Sequence, residues 1–321
     1  MRAFVLLTLA SACGVSAASN PARAYELAGQ VAPEAQASVS LFGATFPFSA
    51  TTLTDARGRF RFEKLQPGAY TVAAFVPGRG EARTTVEVGP AAADSRGRVE
   101  MILRMDEAKL WPDRGPVVST RELSIPPGAW KQYAQAQKKL ARHDTQGAIA
   151  LLKRAVEAAP QFAAAWNNLG TIAYQTKAYP DAEKYFRRAL EADPAAYEPL
   201  VNLGGVLLTL GKVEEAYNFN LYSVLKRPND ALANSQLGMN YFALGKMDLA
   251  EKYLLEAVRL DPAHFSHPQL LLAEIYLHRN DRTRAAAQLE DFLNRHPDWP
   301  SADQMRAVIA KLRKEASAGR Q

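Results

Sequence analysis

The side chains best suited to metal binding are histidines, and two of the five in this chain lie close together in the segment His264-Phe265-Ser266-His267. Two imidazoles at this spacing can bind zinc, but zinc sites in proteins use three or four protein ligands. No cysteine or acidic residue stands at ligand spacing beside the pair. We therefore expect these histidines in a solvent-exposed turn, and no metal site.

Nucleophilic and phosphate-transfer chemistry leave recognisable sequence motifs. The chain has neither a Gly-rich phosphate loop ending in Lys-Ser or Lys-Thr nor a Gly-x-Ser-x-Gly turn. Its one cysteine, Cys13, lies in the N-terminal leader, so the mature chain has no thiol nucleophile and no disulfide. The sequence therefore predicts a protein that is not an enzyme, with no catalytic residue, no metal and no cofactor.

Acidic and basic residues are interleaved along the chain. Its 321 residues include 39 Lys or Arg and 33 Asp or Glu, with a formal net charge of +6, and no segment concentrates the excess. Proteins that bind nucleic acid gather their basic residues into a patch that contacts phosphates. We therefore expect no nucleic-acid partner. The length and the hydrophobic share of 48% are typical of a folded protein with about two domains.

Residues 1–18 have the composition of a signal peptide. Arg2 supplies a positive charge, residues 3–12 are mostly apolar, and small residues around Ala17 and Ala18 form a cleavage site. About ten apolar residues are too few to span a bilayer. We expect export to the periplasm or cell envelope of a bacterium.

Cys13 offers an alternative to ordinary cleavage. The segment Ala10-Ser11-Ala12-Cys13 resembles the processing site of bacterial lipoproteins, in which the cysteine thiol carries the lipid. The site has Ala10 where that family usually has Leu, and the leader is short. The sequence therefore favours cleavage after Ala17 or Ala18 and a soluble product, with lipidation of Cys13 as the alternative and as the one route to a membrane.

Residues 24–105 alternate between apolar and polar side chains in short stretches separated by turn residues, which predicts an all-β sandwich of about seven strands. The predicted strands cover residues 25–31, 37–42, 48–54, 59–63, 69–76, 82–88 and 98–104. Phe60 and Phe62 share one face of their strand, so we expect both in the core. Phe42, Phe46 and Phe48 form either ordinary core or an exposed aromatic surface.

Three motifs in this region resemble those of carboxypeptidase regulatory-like domains. They are Gly29-Gln30-Val31, the stretch from Thr54-Asp55 through Gly58 to Phe60, and Leu65-Gln66-Pro67-Gly68-Ala69-Tyr70. The resemblance implies a transthyretin-like sandwich that serves as an accessory module. The catalytic domains of zinc carboxypeptidases use a His-x-x-Glu motif, and none of the five histidines here is followed by Glu at that spacing.

A helical repeat follows the linker predicted for residues 106–128. Pro160, Pro194, Pro228 and Pro262 lie 34 residues apart, and each follows an amphipathic stretch. The period predicts an array over residues 129–300, with five repeats at 129–162, 163–196, 197–230, 231–264 and 266–299. Residues 301–321 are predicted to form a capping helix and tail.

The repeats resemble the tetratricopeptide family, most clearly in the second, whose matching residues are Trp166, Leu169, Gly170, Tyr179, Ala182, Phe186, Ala189 and Pro194. The resemblance implies an all-α solenoid of helix pairs in which the first helices line a concave groove. The groove residues expected to bind a partner are Asn167, Asn168, Thr171, Tyr174, Val201, Asn202, Leu208, Ser235, Met239, Phe242 and Leu277.

Four of these residues, Tyr174, Leu208, Phe242 and Leu277, occupy equivalent places in successive repeats and are expected to form an apolar stripe. Such a stripe suits an amphipathic helix or an extended apolar segment of a protein partner. Partial burial of the same side chains between the helices is the alternative.

These features together predict an exported, non-catalytic scaffold that binds a partner protein. Two alternatives stay open. In the first, the sandwich binds a glycan or another envelope component through exposed aromatic side chains. In the second, the chain is a non-catalytic subunit of an enzyme complex.

Overall fold

The structure is a computed structural model that describes residues 24–106, 110 and 123–318. The predicted signal peptide, with Cys13, lies outside the described residues, as does most of the predicted linker. Cleavage of the leader and lipidation of Cys13 therefore stay predictions.

Seven strands form where the alternating pattern predicts them: β1 (Tyr25–Ala32), β2 (Ser38–Gly43), β3 (Ser49–Leu53), β4 (Arg59–Leu65), β5 (Gly68–Val76), β6 (Gly80–Val88) and β7 (Arg98–Arg104). They build a three-stranded sheet in the order β4-β1-β7 and a four-stranded sheet in the order β3-β2-β5-β6. Strands β1 and β7 run parallel, and the other pairs are antiparallel. Alternate apolar residues of both sheets, among them Leu27, Leu41, Phe60 and Phe62, share one core. The predicted β-sandwich is confirmed.

Two of the sequence motifs in the sandwich have clear structural roles. Gly29 pairs with Phe60 across β1 and β4, and a Cβ at Gly29 would lie 2.3 Å from Cζ of the Phe60 ring. The backbone N–H groups of Arg59 and Arg57 each donate to Oδ1 of Asp55 over 2.9 Å, which closes the turn before β4. The hydrogen bonds from Arg59, followed by that from Arg57, lower the pKa of Asp55.

Residues 127–318 are described without a gap and form eleven helices: α1 (Pro127–Leu140), α2 (Thr145–Ala158), α3 (Ala163–Gln175), α4 (Tyr179–Ala192), α5 (Tyr197–Thr209), α6 (Val213–Lys226), α7 (Ala231–Ala243), α8 (Met247–Leu260), α9 (Pro268–His278), α10 (Arg282–Arg295) and α11 (Ala302–Ala318). They form five helix pairs and a terminal helix, as the repeat predicts. Helix α1 begins two residues before the predicted repeat start, because proline is tolerated in the first turn, where its missing N–H is not needed.

Small residues let the two helices of a repeat approach closely. A Cβ at Gly170 would lie 2.5 Å from the Phe186 ring, and one at Gly238 would lie 2.7 Å from Leu254. The third repeat differs, since its equivalent of Phe186 and Leu254 is the buried Asn220.

Asn220 is paired with a second buried amide. Its Nδ2 donates to Oδ1 of Asn240, whose own Nδ2 donates to the backbone oxygen of Val213 over 2.8 Å. Asn240 stands where the second and third repeats have Ile172 and Val206. We call Asn220 and Asn240 the buried asparagine pair; nothing in the repeat pattern predicts it.

The terminal helix covers the last repeat. Met305, Ile309 and Leu312 of α11 are buried in the same core as Leu289 and Phe292 of α10. An open solenoid end would expose these apolar side chains to water. The predicted capping helix is therefore confirmed.

Candidate binding site at the domain junction

The sandwich is docked on the repeats through the outer edge of β6. Oδ2 of Asp261, the residue after α8, accepts hydrogen bonds from the N–H of Thr85 over 2.9 Å and from its Oγ1 over 2.7 Å. Oγ1 of Thr84 donates to Oδ1 of Asp261 over 3.3 Å. Asp261 and Thr85 are both buried. The carboxylate thus accepts a hydrogen bond from an N–H on the open side of β6, which is an edge strand of its sheet.

Two further contacts hold the same side of the sandwich to the end of the array. Nδ1 of His296 lies 2.9 Å from Oε1 of Glu87 in β6. The N–H of Ala91 donates to Oδ2 of Asp298 over 3.0 Å. Both repeat residues belong to the turn between α10 and α11, so this turn is fixed against the sandwich.

The other end of the sandwich contacts the first two repeats. Nε2 of Gln175, at the end of α3, donates to the backbone oxygen of Gly43 over 2.9 Å. The ring of Phe48 packs on the imidazole of His143, with 5.1 Å between the ring centres. The sandwich therefore bridges the array from its first repeat to its last.

The sandwich covers part of the face that the first helices form, which we call the first-helix face. The outer side of the four-stranded sheet and this face enclose a space of about 320 Å³, the junction cavity. Its lining includes Phe42, Thr71 and Arg83 from the sheet and Asn167, Asn168, Thr171, Tyr174, Gln175, Val201, Asn202, Gly205 and Gln236 from the first helices. Six of the predicted groove residues thus face the cavity.

Asparagines in the cavity wall bond to one another and to a neighbouring helix. Nδ2 of Asn202 donates to Oδ1 of Asn167 over 3.1 Å, which links α5 to α3. Nδ2 of Asn168 donates to the hydroxyl of Tyr133 over 3.2 Å. Oγ1 of Thr171 donates to the backbone oxygen of Asn167 over 3.1 Å. These bonds fix the amides before any ligand arrives.

The rest of the predicted groove is not covered by the sandwich. Leu208, Met239, Phe242 and Leu277 do not line the junction cavity, whereas Tyr174 does. Tyr174 and Met239 are each 39% exposed, and the other three are half-buried against the helical core. The apolar stripe therefore contains one exposed ring and three partly buried side chains, so both sequence-based interpretations of it apply.

Two predicted groove residues have little free surface. Val201 is buried, although it forms part of the cavity wall. Ser235 is fully buried and accepts a hydrogen bond of 2.7 Å from Oγ of Ser266, across the turn between the fourth and fifth repeats. The hydroxyl of Ser235 therefore stabilises the array from inside.

The expectation that His264 and His267 lie in a solvent-exposed turn is wrong, and a third turn histidine, His296, is also buried. His264 is 5% exposed and His296 is 4% exposed. The ring of His267 lies among those of Phe292, His296 and Trp299, with centres 5.2, 4.6 and 5.2 Å away. The period of the sequence places these residues in turns, but the sandwich and α11 cover those turns.

The burial of His267 makes the stability of the folded protein depend on pH. Desolvation, with a smaller effect from His296 and His264, lowers the pKa of His267 to about 3. The unfolded chain protonates this ring near pH 6.5, so the folded state loses stability as the pH falls from 6.5 towards 3. We expect this ring alone to decrease the unfolding free energy by about 2 kcal/mol between pH 7 and pH 5.

Urea unfolding at both pH values measures this change. His267→Asn is the matched variant, because His267 has a φ of 52° and asparagine tolerates that conformation. The variant should lose less stability on acidification than the wild type. An equal loss in both proteins would contradict the assignment to His267.

Among the described residues, no three or more His, Cys, Asp or Glu side chains are grouped so that they could hold a metal ion. Within the same residues, no helix is long and apolar enough to cross a membrane.

Comparison with known families identifies both parts of the chain. A model of the carboxypeptidase regulatory-like domain matches residues 28–101. Tetratricopeptide repeat models match residues 133–197, 179–218 and 231–264. Among curated proteins, the comparison gives no match to the chain.

Similar solved structures align mainly with a little over half of the chain. MamA from Desulfovibrio magneticus RS-1 is 20% identical, with a TM-score of 0.48, 56% of this chain covered and 100% of the other. YrrB, described as a TPR protein with an unusual peptide-binding site, is 21% identical, with a TM-score of 0.47 and coverages of 61% and 98%. PilF from Pseudomonas aeruginosa is 20% identical, with a TM-score of 0.47 and coverages of 60% and 90%. From the family matches, residues 28–101 form a carboxypeptidase regulatory-like domain, and residues 133–218 and 231–264 consist of tetratricopeptide repeats.

Proposed function

We propose that this chain is an exported, non-catalytic scaffold that binds a segment of a partner protein on the uncovered part of its first-helix face. The observation that carries the proposal is the apolar surface of Tyr174 and Met239, which stays exposed beside the docked sandwich. Exposed apolar groups grouped on one face of a protein mark interaction sites. The half-buried Leu208, Phe242 and Leu277 extend this surface along the array.

Chemistry at this surface favours an apolar segment of the partner over a charged one. The stripe and Met239 carry no charge, so the contact gains its free energy from burial of apolar area, at about 25 cal/mol per Å². The Thr209 hydroxyl, 3.3 Å from that of Tyr174, adds a polar group at the edge. We assign no catalytic residue to the chain.

The site of action proposed here is the periplasm or cell envelope of a bacterium. It rests on the composition of residues 1–18, where a positive start, an apolar run and small residues follow one another. Fractionation of cells that produce the full chain, with mass spectrometry of the mature N-terminus, tests it. Cleavage after residue 17 or 18 supports export as a soluble protein, and a lipid on Cys13 supports the anchored alternative.

Site-specific photo-crosslinking tests the binding surface. A photoreactive phenylalanine analogue at Met239 should crosslink to one segment of one partner, which mass spectrometry then identifies. The partner should bind the Tyr174→Ala, Met239→Ala variant at least tenfold more weakly, because both side chains lose their buried contact. Both are exposed in the free protein, so their loss leaves the fold intact.

A matched control lies on α6, outside the first-helix face. Tyr222 and Leu225 are exposed there, and their double replacement by Ala removes a similar apolar area. We expect this control to bind the partner as the wild type does. If the control loses affinity and the Tyr174, Met239 variant does not, the first-helix face is not the binding surface.

A further inference from the structure

The junction cavity has a polar wall whose hydrogen-bonding groups are only partly used. The bond from Nδ2 of Asn202 to Oδ1 of Asn167 leaves Oδ1 of Asn202 as an acceptor and Nδ2 of Asn167 as a donor. These two groups lie on neighbouring helices and line the same space. The wall therefore offers a donor and an acceptor side by side.

Gln236, a residue of the cavity lining, carries a buried acceptor that the fold does not satisfy. The residue lines the cavity, is 7% exposed, and its Oε1 has no hydrogen-bond partner among the described residues. A buried acceptor without a partner costs about 1 to 3 kcal/mol, so native structures seldom keep one without a reason. Gly205 makes room for this amide, because a Cβ there would lie 2.4 Å from Nε2 of Gln236.

The charged groups around the cavity are already engaged. Oε1 of Glu198 lies 3.8 Å from Nη2 of Arg83 and 3.3 Å from Nη1 of Arg227. Asp230 accepts the Tyr197 hydroxyl over 2.7 Å. Asp261, also in the lining, holds β6. Glu198 is thus paired with two arginines, and the protein itself supplies hydrogen-bond donors to Asp230 and Asp261. Among the described residues of the lining, no charged group lacks a protein partner that a charged ligand would have to supply, so the cavity suits an uncharged ligand.

Aromatic side chains give the cavity an apolar component. Phe46 and Phe48 both pack edge-on against the buried Tyr70, whereas Phe42 points from the outer side of the sheet into the junction and keeps 38% of its surface exposed. The exposed ring of Tyr174 lines the same space. A ligand here meets flat apolar rings as well as amides.

A peptide strand fits these walls less well than a sugar does. Peptides join a sandwich by pairing with main-chain groups at a sheet edge, but the cavity is bounded by the face of the sheet, from which side chains project. Sugar hydroxyls each donate and accept, as the amides require. The C–H face of a sugar ring packs on an aromatic ring through weak C–H contacts.

We propose that the junction cavity is a binding site for an uncharged sugar of one or two rings. The sugar is held between the sandwich and helices α3 and α5 of the second and third repeats, with Gln236 supplied by α7 of the fourth repeat. Its volume of about 320 Å³ lies at the lower end of small-molecule sites. The site needs both domains, unlike a glycan site confined to the sandwich. It shares only Tyr174 with the surface proposed above for the protein partner.

Isothermal titration calorimetry of the full chain tests this site. The probes are cellobiose, maltose and N,N′-diacetylchitobiose, with the uncharged peptide N-acetyl-Ala-Ala-amide and the anionic sugar glucuronate as comparisons. We expect at least one of the neutral disaccharides to bind, and glucuronate and the peptide not to bind. Absence of heat from all three disaccharides, or binding of the peptide alone, overturns the proposal.

Two variants and a control locate the binding. Gln236→Leu keeps the volume of the side chain and removes the amide, so affinity should fall at least tenfold. Gly205→Ala should abolish binding by pushing Gln236 into the cavity. Asn218→Ala removes an exposed amide on α6 and should bind as the wild type does. Equal affinity in all four proteins would place the sugar elsewhere and overturn the proposal.

The fold of the Gln236→Leu variant can be checked separately. Because the variant removes a buried acceptor without a partner, it should melt at or above the temperature of the wild type. A loss of affinity in this protein then reports on the cavity and not on unfolding.

Discussion

Replacing Asp261 with alanine should release the sandwich from the repeats. The carboxylate accepts three hydrogen bonds from Thr84 and Thr85, and its loss leaves the buried N–H of Thr85 without a partner. Hydrogen bonds to a charged group contribute about 1.5 to 3 kcal/mol each but are not additive, so we expect the junction to lose about 3 kcal/mol. Hydrogen exchange of the Thr85 amide in the folded protein measures this, with an expected acceleration of about 100-fold.

Asp193 provides the matched control for this variant. It occupies the equivalent place after α4, where its Oδ1 accepts only the N–H of Ala195, over 3.0 Å in an exposed turn. Asp193→Ala should change stability by no more than about 0.5 kcal/mol and leave the exchange of Thr85 unchanged. If Asp261→Ala behaves in the same way, the contact between β6 and the repeats does not hold the domains together.

Asn240→Ala should be among the most destabilising single changes in the repeats. It removes the partner of Asn220 and leaves the backbone oxygen of Val213 without its side-chain donor, and both asparagines are fully buried. Unpaired buried polar groups and the space left by the side chain each cost stability, and together we expect a loss of about 3 kcal/mol. Urea unfolding followed by circular dichroism at the helix band measures the loss.

A double replacement separates polar pairing from packing. Asn220→Leu introduces the residue type that the fourth repeat has at the equivalent place, Leu254, and Asn240→Val introduces the type that the third repeat has there, Val206. Leu254 and Val206 are both buried. Oδ1 of Asn220 is buried without a partner among the described residues, so the double variant also removes an unsatisfied acceptor. Its stability should lie within about 1 kcal/mol of the wild type. A double variant as unstable as Asn240→Ala would show that the pair has a role beyond its own hydrogen bonds.

Local patterns in the sequence predict the elements of both domains well. Phe60 and Phe62 are core residues because a strand alternates its faces, whatever the rest of the chain does. The prolines at 34-residue intervals mark the ends of helix pairs because each repeat mainly contacts its neighbours. The exceptions are single residues that depart from the repeat pattern, such as Asn220. Its partner Asn240 lies in the next helix pair, and no periodic pattern predicts the contact.

The candidate site could be predicted only in part. Repeat geometry places Asn167, Asn202 and Tyr174 on one face, and in the structure all three line one cavity. Gln236 and Phe42 were not predicted to belong to this site. A glycine directly after the family's usual Gly204 was an available signal, since it indicates a close approach by another group.

The sequence by itself determined two domains, their strands and helices, the faces that form each core and the helices that form the groove. These follow from contacts between residues close in the chain, which leave a period that can be counted. Only the tertiary structure decided that the sandwich covers part of that groove, that His264 and His296 are buried, and that a cavity lies between the domains. These depend on pairs such as Thr85 and Asp261, which are 176 residues apart. Pairs so distant are brought together by the packing of whole domains, and a single sequence has no periodic pattern that records it.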